Sequence, residues 1–298
     1  MKQDQARVLG GIGFVVLACA CFAVLDTTAK YVVLTVPILM AAWVRYFLQA
    51  LVSSLVLLPL HGAQVLRTAK PGLQLVRGLL LMSSSLLAFV SLRFMPVGEF
   101  TAIVMVTPLG VTLLAVTLLK ERIAPLHWVF VVGGFVGVLA IARPGSHDLG
   151  WAALLPVGCM VINSVFQLLS SHLGKTEKAA TTHLYTSWIG TLALSLLLPI
   201  AWAEVESVKT WALMLLMGCM GALGHFALTL AYARARAVKL VPYLYIHIGF
   251  AVIGGWLVFG QLPDAWSWFG IGLIAVSGIC GAWFTARENS TAAQLPET

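Results

Sequence analysis

Two charged residues, Asp26 and Lys30, interrupt an apolar stretch near the start of the chain, CACFAVLDTTAKYV (residues 19–32). They are four positions apart, which is about one turn of an α-helix. A carboxylate in apolar surroundings can hold a cation or exchange a proton, and leaving it without a partner costs free energy. Arg45, in the equally apolar AAWVRYF (residues 41–47), could supply that partner. We expect Asp26 and Arg45 to lie close together, either as a structural ion pair or as a site where Arg45 attracts an anion.

A histidine follows a proline and two tyrosines in a later apolar stretch, VPYLYIHIGF (residues 241–250). In a regular helix Tyr243 and His247 share one face, whereas Tyr245 points elsewhere. Pro242 cannot donate a backbone hydrogen bond, so it can leave nearby carbonyl groups free. Because histidine titrates near neutral pH, His247 is a candidate for proton exchange, as Asp26 is.

The composition indicates that these stretches lie in lipid. The chain has 298 residues, of which 60% are hydrophobic and 10% charged, with a mean hydropathy of +0.96. Soluble domains are usually about 25% charged. The net charge of +7 comes from dispersed residues that separate apolar runs, which does not favour nucleic-acid binding. The five cysteines lie in apolar runs without a CxxC pair, so we interpret them as packing residues and expect no metal or cofactor.

The apolar runs predict an all-α membrane protein, because a helical span needs about 20 apolar residues. The expected spans are residues 8–33, 37–60, 76–95, 99–119, 126–142, 151–172, 182–202, 208–233, 239–260 and 266–285. The polar end of the chain, residues 288–298, is expected to be a disordered tail.

The distribution of basic residues predicts the orientation of these spans. If both termini lie in the cytoplasm, most Lys and Arg residues fall on the cytoplasmic face, as the positive-inside rule requires. The other face then carries only four basic residues, namely Lys30, Arg93, Arg143 and Lys209. We expect the long side chain of Lys30 to reach the outer interface.

The sequence repeats weakly at an offset of 140 residues. Cys19 corresponds to Cys159, Pro59 to Pro199 and Trp128 to Trp268. Each half (residues 1–145 and 146–287) holds five expected spans, and an odd number makes the second half enter the membrane from the opposite side. The sequence therefore predicts two inverted five-helix repeats, the architecture that many secondary transporters use for alternating access around a central site.

The repeat also indicates where a central site would lie, because positions that are polar at mid-helix in both halves meet near the axis that relates the repeats. Two such correspondences are Ser85 with His225, and Thr107 with His247. His225 could equally bond a neighbouring carbonyl group, and the rings flanking Arg45 suit either stacking or an interfacial aromatic belt. The expected substrate contacts are Asp26, Trp43, Arg45, Tyr46, Ser85, Thr107, Asn163, Gln167, His225, Tyr243 and His247.

Residues 92–145 resemble the drug/metabolite transporter superfamily of the EamA type. The matching features are the Pro96 turn, Thr107-Pro108, Glu121-Arg122 and a glycine-rich fifth helix, whereas Gly260-Gln261 replaces Lys120-Glu121 in the second copy. The resemblance implies ten helices around a central cavity, and a secondary transporter in a bacterial inner membrane. It favours export, with import of a metabolite or vitamin as the alternative. The mixed polar residues of the expected site suit a small amphipathic organic cargo, and its titratable residues make proton coupling or exchange the expected energy source.

The sequence contains no HExxH motif or paired acidic motif, which argues against a membrane enzyme. The expected partners are a small-molecule substrate and the lipid bilayer, with no nucleic acid. Gly133 and Gly137 form a small-xxx-small face on the fifth span, which is consistent with close helix packing or a homodimer.

Overall fold

The computed structural model describes residues 2–118, 120, 124–143, 150–174, 176–235 and 237–292. Within them the chain forms helices joined by short connections, including two short 3₁₀ segments, Gly62–Leu66 and Gly150–Ala153. The α-helices are α1 (Lys2–Val33), α2 (Ile38–His61), α3 (Pro71–Phe94), α4 (Val97–Val104), α5 (Thr107–Leu118), α6 (Pro125–Ala142), α7 (Leu154–Leu173), α8 (Ala179–Ala201), α9 (Val208–Arg234), α10 (Ala237–Leu244), α11 (Ile246–Phe259) and α12 (Ala265–Ala292).

These helices confirm the ten predicted spans, because ten segments of the described chain are long and apolar enough to cross a membrane. Spans four and nine each consist of two short helices, α4 with α5 and α10 with α11. Helix α12 continues to Ala292, so it includes the first part of the expected tail. Residues 293–298 and the Glu121-Arg122 turn lie outside the described residues.

Proline and glycine set several helix ends. Pro71 and Pro125 occupy the first positions of α3 and α6, where a missing backbone N–H leaves no hydrogen bond unmade. Gly260 ends α11 in the left-handed region, at φ +66°, which a glycine adopts without steric cost. The Ser207 side chain accepts a hydrogen bond from the Thr210 backbone N–H and so caps α9.

The two broken spans are interrupted at positions that are 140 residues apart. The first break follows α4 at Met105, and the second separates α10 from α11 at Tyr245. Since Pro108 cannot donate to the Val104 carbonyl, the Thr107 hydroxyl does so instead, at 2.5 Å. Near the second break, the Cys19 thiol of α1 lies 3.6 Å from the Leu244 carbonyl and donates to it. Both interruptions thus have side chains that satisfy the freed backbone groups.

The neighbours of each helix form a pattern that is largely unchanged when the two halves are exchanged. Helix α1 packs along α9, and α3 packs in the same way along α7. Helix α2 packs on both α8 and α9, and α8 packs on both α2 and α3. This pattern is what two repeats in a pseudo-twofold arrangement would give.

The outermost pair, α6 and α12, packs through the glycine face on which the sequence suggested a homodimer. A methyl group added at Gly137 would lie 2.8 Å from the Gly270 carbonyl oxygen of α12, and one added at Gly133 would contact Ser277. The face is therefore covered within the same chain. The close approach of α6 to α12 is helix packing of the small-xxx-small kind, and this glycine face provides no support for a homodimer.

Candidate functional site

Asp26 and His247 form the titratable pair at the centre of the bundle. Asp26 lies about two turns before the end of α1, and His247 is the second residue of α11, directly after the Tyr245 break. His247 Nε2 lies 3.3 Å from Asp26 Oδ2, and the two side chains are 10% and 14% exposed. The atoms are not aligned for a hydrogen bond, so the attraction is electrostatic and is strongest when the imidazole carries a proton.

The expected proximity of Asp26 to Arg45 as an ion pair was wrong. Among the described residues the two side chains form no ion pair, because α1 packs mainly along α9 and α11 and has only a small contact with α2. The short connection between α1 and α2 does not make them close neighbours. The Arg45 guanidinium lies instead beside the rings of Tyr46 and Phe89, at 5.3 and 5.8 Å from their centroids.

A row of aromatic and imidazole rings extends from this pair across the bundle. The Phe22 ring lies between His247 and His225, with centroids 6.1 and 5.0 Å away. The His183 ring of α8 is a further 5.8 Å from His225, and its Nε2 shares a 2.9 Å hydrogen bond with the Ser53 hydroxyl. His225 is only half-buried although rings flank it on two sides, which indicates open space beside it. Of the expected substrate contacts, the structure thus places Asp26, His225 and His247 near one another, and their binding of a substrate stays a prediction.

Several other expected contacts use their polar groups on neighbouring protein atoms. The Tyr46 and Ser85 hydroxyls lie 2.9 Å apart and hydrogen-bond to each other. Trp43 donates its indole N–H to Ser195 on α8, at 2.8 Å. The Thr107 hydroxyl is committed to the helix break.

The sixth span contributes one half-buried amide and one exposed amide. Asn163 donates to the Cys159 sulfur at 3.7 Å, and that sulfur also lies 3.2 Å from the Ser84 hydroxyl. Gln167 is exposed on the helix surface. Of the two, Asn163 has the contacts with the interior of the bundle.

The sequence predicts that Tyr243 and His247 share one helix face, and this stays a prediction, because the two residues lie on either side of a helix break. The Tyr245 break separates them into α10 and α11, and Tyr243 is 37% exposed whereas His247 is buried. Tyr245 itself is buried and packs against Gly278 of α12, so it points away from His247, as expected.

A set of polar contacts closes the face of the bundle opposite the chain ends, which we call the distal face. Lys30 is 5% exposed, and its ammonium group donates to the Leu92 and Met95 carbonyls at 3.1 and 2.7 Å. The expectation that Lys30 reaches the interface was therefore wrong. The carbonyl groups at the end of α3 carry partial negative charge, which makes them good acceptors for a buried cation.

Two acidic residues extend the distal contacts. Glu99, in the first turn of α4, accepts a 2.8 Å hydrogen bond from the Ser267 hydroxyl of α12. Asp264 accepts a 2.8 Å bond from the Ser267 backbone N–H and lies 2.6 Å from Arg143. The backbone hydrogen bond, together with the Arg143 charge, holds the pKa of Asp264 below its usual range. These contacts join spans four, five and ten at the distal face.

The halves of the broken spans are arranged differently at the two faces. On the distal side α4 and α11 pack against each other. On the side of the chain ends, which we call the terminal face, residues of α5, α6, α10 and α12 line a cavity of about 180 Å³. Most of its lining comes from α6 and α12, and none of the expected substrate contacts is part of it.

Comparison with known proteins explains this architecture. The EamA-like transporter family matches residues 9–143. A riboflavin transporter of Rhizobium johnstonii is 33% identical over 284 residues, which cover 92% of this chain and 91% of the relative. The chain belongs to the EamA-like transporter family. The family resemblance predicted from the sequence is therefore confirmed.

Other relatives of this EamA-like transporter have different cargoes in their names. A Rickettsia felis S-adenosylmethionine uptake transporter is 28% identical, with 89% of each chain covered. A Pseudomonas aeruginosa pseudopaline exporter is also 28% identical, covering 90% of this chain and 94% of its own. A solved crystal structure shares the fold, with a TM-score of 0.66 at 18% identity over 95% of this chain and 99% of its own. The EamA-like protein is thus a multi-pass membrane transporter of small metabolites and not an enzyme.

Sequence reasoning missed two residues that the EamA-like fold places beside the site. His183 lies in the polar run TTHLYTSW of the seventh span, and that run was the available signal. Phe22 separates two histidines, yet nothing distinguishes it from other apolar residues of α1 in the sequence. Its position depends on how α1 rotates against α9 and α11.

Proposed function

We propose that this EamA-like protein is a secondary transporter that moves a small, partly aromatic organic metabolite across the bacterial inner membrane by alternating access. The observation that carries this proposal is the contact between Asp26 and His247 beside the break of the ninth span. Discontinuous helices at mid-membrane are where many transporters bind cargo and coupling ions, because the broken backbone leaves polar groups available. The Phe22 ring beside both histidines offers an apolar surface for an aromatic cargo.

The two halves, residues 1–145 and 146–287, would act as inverted repeats that rock against each other. The symmetric pattern of helix neighbours and the breaks at Met105 and Tyr245 support this arrangement. With both termini in the cytoplasm, the closed distal face is periplasmic and the cavity lies on the cytoplasmic side. The arrangement then corresponds to a form whose periplasmic side is closed.

Protonation of the Asp26–His247 pair would couple transport to the proton gradient. A proton on His247 creates an ion pair that holds α1 to α11, and its loss weakens that attraction. Export is the direction that we infer from the family. Uptake is the second candidate, which the name of the Rickettsia felis relative favours.

The test is transport by the purified protein in liposomes. Riboflavin, S-adenosylmethionine and a pool of bacterial metabolites are offered with and without a pH gradient, and movement is followed by mass spectrometry. We expect at least one compound to move faster than in protein-free liposomes, with a rate that depends on the gradient. His247→Ala should abolish this movement while the exposed-residue control His61→Ala retains it. Rates equal to protein-free liposomes for every compound would contradict the proposal.

A further inference from the structure

Arg45 is a buried cation whose environment differs from that of two other cations in the bundle, the buried Lys30 and the half-buried Arg77. Its side chain lies on α2 and is 7% exposed. Lys30 donates to two carbonyl oxygens, and the Arg77 guanidinium donates to Ser170 and to the Thr182 carbonyl at 2.6 and 2.9 Å. In the part of the chain that the structure describes, the Arg45 guanidinium has no such acceptor and no carboxylate within ion-pair distance, and its Nε is buried without a partner.

The rings beside Arg45 do not replace the missing acceptors. Tyr46 and Phe89 interact with the guanidinium charge through their π-electrons. The N–H bonds of a guanidinium lie in its plane and require lone pairs at its edge, and a carboxylate or phosphate supplies two of them in matching geometry. The Tyr46 hydroxyl, which could accept, already bonds to Ser85.

A second unsatisfied group lies on the same face of α2. Gln49 is one turn further along the helix, so its side chain projects from the same side as that of Arg45. It is 1% exposed, and its amide Oε1 has no hydrogen-bond partner among the described residues. On the neighbouring α9, Gly221 lies beside the guanidinium, since a methyl group there would be in ordinary van der Waals contact with Arg45 Nε, at 3.6 Å.

An unpaired guanidinium in the membrane interior is unfavourable, and a bound anion removes that cost. The Asp26 carboxylate lies 3.3 Å from His247 and forms no ion pair with Arg45 among the described residues. We propose that Arg45 forms a subsite for the carboxylate or phosphate group of an anionic cargo, with Phe89 and Tyr46 as its apolar wall, while the Gln49 Oε1 atom can accept a hydrogen bond from a hydroxyl or N–H group of the same cargo. This inference rests on the proposed transport function and names the chemical class of the cargo.

Thermal unfolding of the detergent-purified full chain tests the subsite without measuring transport. Benzoate, phenyl phosphate and uncharged benzamide are titrated at constant ionic strength. We expect benzoate or phenyl phosphate to raise the unfolding temperature and benzamide to leave it unchanged, because only the charged groups bind Arg45. Whichever of the two anions binds at the lower concentration identifies the acid as carboxylate or phosphate.

Variants then locate the binding. Arg45→Gln should weaken anion binding by about tenfold or more, since a charge-assisted hydrogen bond is lost. Arg67→Gln, which changes an exposed arginine of the α2–α3 connection, is the control and should bind both anions like the wild type. If Arg45→Gln does not fold, Arg45→Lys replaces it, because lysine keeps the charge but loses the bidentate geometry and should bind more weakly.

Two results would overturn the subsite. The first is that benzamide raises the unfolding temperature of the wild type as much as the two anions do. The second is that the Arg45→Gln variant, or Arg45→Lys if only that variant folds, binds the anions with the affinity of the wild type. Anion binding that depends on Arg45 without any transport in liposomes would reject the proposed function and keep the subsite. Transport without anion binding would reject the subsite and keep the function.

Discussion

The Nε2 atom of His247 lies 3.3 Å from the Oδ2 atom of Asp26, which connects α1 to α11 directly after the break in the ninth span. A proton that reaches either residue changes the attraction between a continuous helix and a half-helix. The pair therefore lies where a change of protonation can influence how the two helices pack. Alternating access requires such a link between chemistry and packing.

We expect Asp26 and His247 to be energetically coupled. Asp26→Asn and His247→Ala should each lower stability, and the double variant should differ from the sum of the two by about 0.5–3 kcal/mol, as is usual for residues in contact. The combination of Asp26→Asn with Arg45→Gln is the control and should be additive to within about 0.5 kcal/mol. The measurement is a double-mutant cycle by thermal unfolding in detergent. If Asp26 and His247 were additive and Asp26 and Arg45 were coupled, the result would favour the ion pair expected from the sequence and contradict the structure.

Removing the Lys30 ammonium group should loosen the distal face. Lys30→Met keeps the aliphatic stem but leaves the Leu92 and Met95 carbonyls without their donor. The free energy of unfolding should fall by about 1.5–3 kcal/mol, the range for hydrogen bonds to charged groups. Lys209→Met is the matched control, because Lys209 is exposed near the same face. Equal unfolding temperatures for the two variants would show that the Lys30 contacts do not stabilise the bundle.

Enlarging Gly137 should disrupt the packing of α6 on α12. An added methyl group would lie 2.7 Å from Ile274 Cγ1 as well as close to the Gly270 carbonyl, so Gly137→Ala should cost about 1–3 kcal/mol of stability. Gly272→Ala, where an added methyl meets nothing within 4 Å, should be neutral or slightly stabilising. Light scattering checks that neither substitution changes the oligomeric state. Loss of a dimer without loss of stability would contradict the intramolecular role of this face.

Asp264 should make stability depend on pH in the acidic range. Because its pKa is lower in the folded protein than in the unfolded chain, its contribution is fully present above the unfolded pKa of about 4. The contribution is lost as the pH falls through the lower, folded pKa. Asp264→Ala should therefore unfold at a lower temperature than the wild type at pH 7, and the difference should shrink below about pH 4.

Asp264→Asn separates the two causes of this effect. Asparagine can still accept from the Ser267 backbone N–H but has no charge for Arg143. We expect an intermediate unfolding temperature at neutral pH. If the difference in unfolding temperature between the wild type and Asp264→Ala is the same at pH 7 and at acidic pH, the carboxylate is not the source of that difference.

Most of the secondary structure could be predicted from the sequence, because hydropathy and the residues that start or end helices are local properties. Pro71, Pro125 and Gly260 lie at helix ends, as is usual for these residue types. The repeat alignment paired Thr107 with His247 as polar positions of a central site, and the structure places both next to helix breaks that the alignment did not predict. The alignment did not reveal that the Thr107 hydroxyl donates to the Val104 carbonyl, because this hydrogen bond depends on the local geometry that Pro108 imposes.

The sequence by itself determined that the chain crosses the membrane ten times and that a few ionisable side chains must lie inside it, because both follow from residue type and spacing. Only the tertiary structure decided which groups meet. Helix α1 packs on α9 and α11, with only a small contact to the adjacent α2 in sequence, so Asp26 meets His247 and leaves Arg45 without an acid. Side-chain partners depend on the rotation and depth of helices that are far apart in the chain. Those are set by the packing of the whole bundle and not by any local pattern.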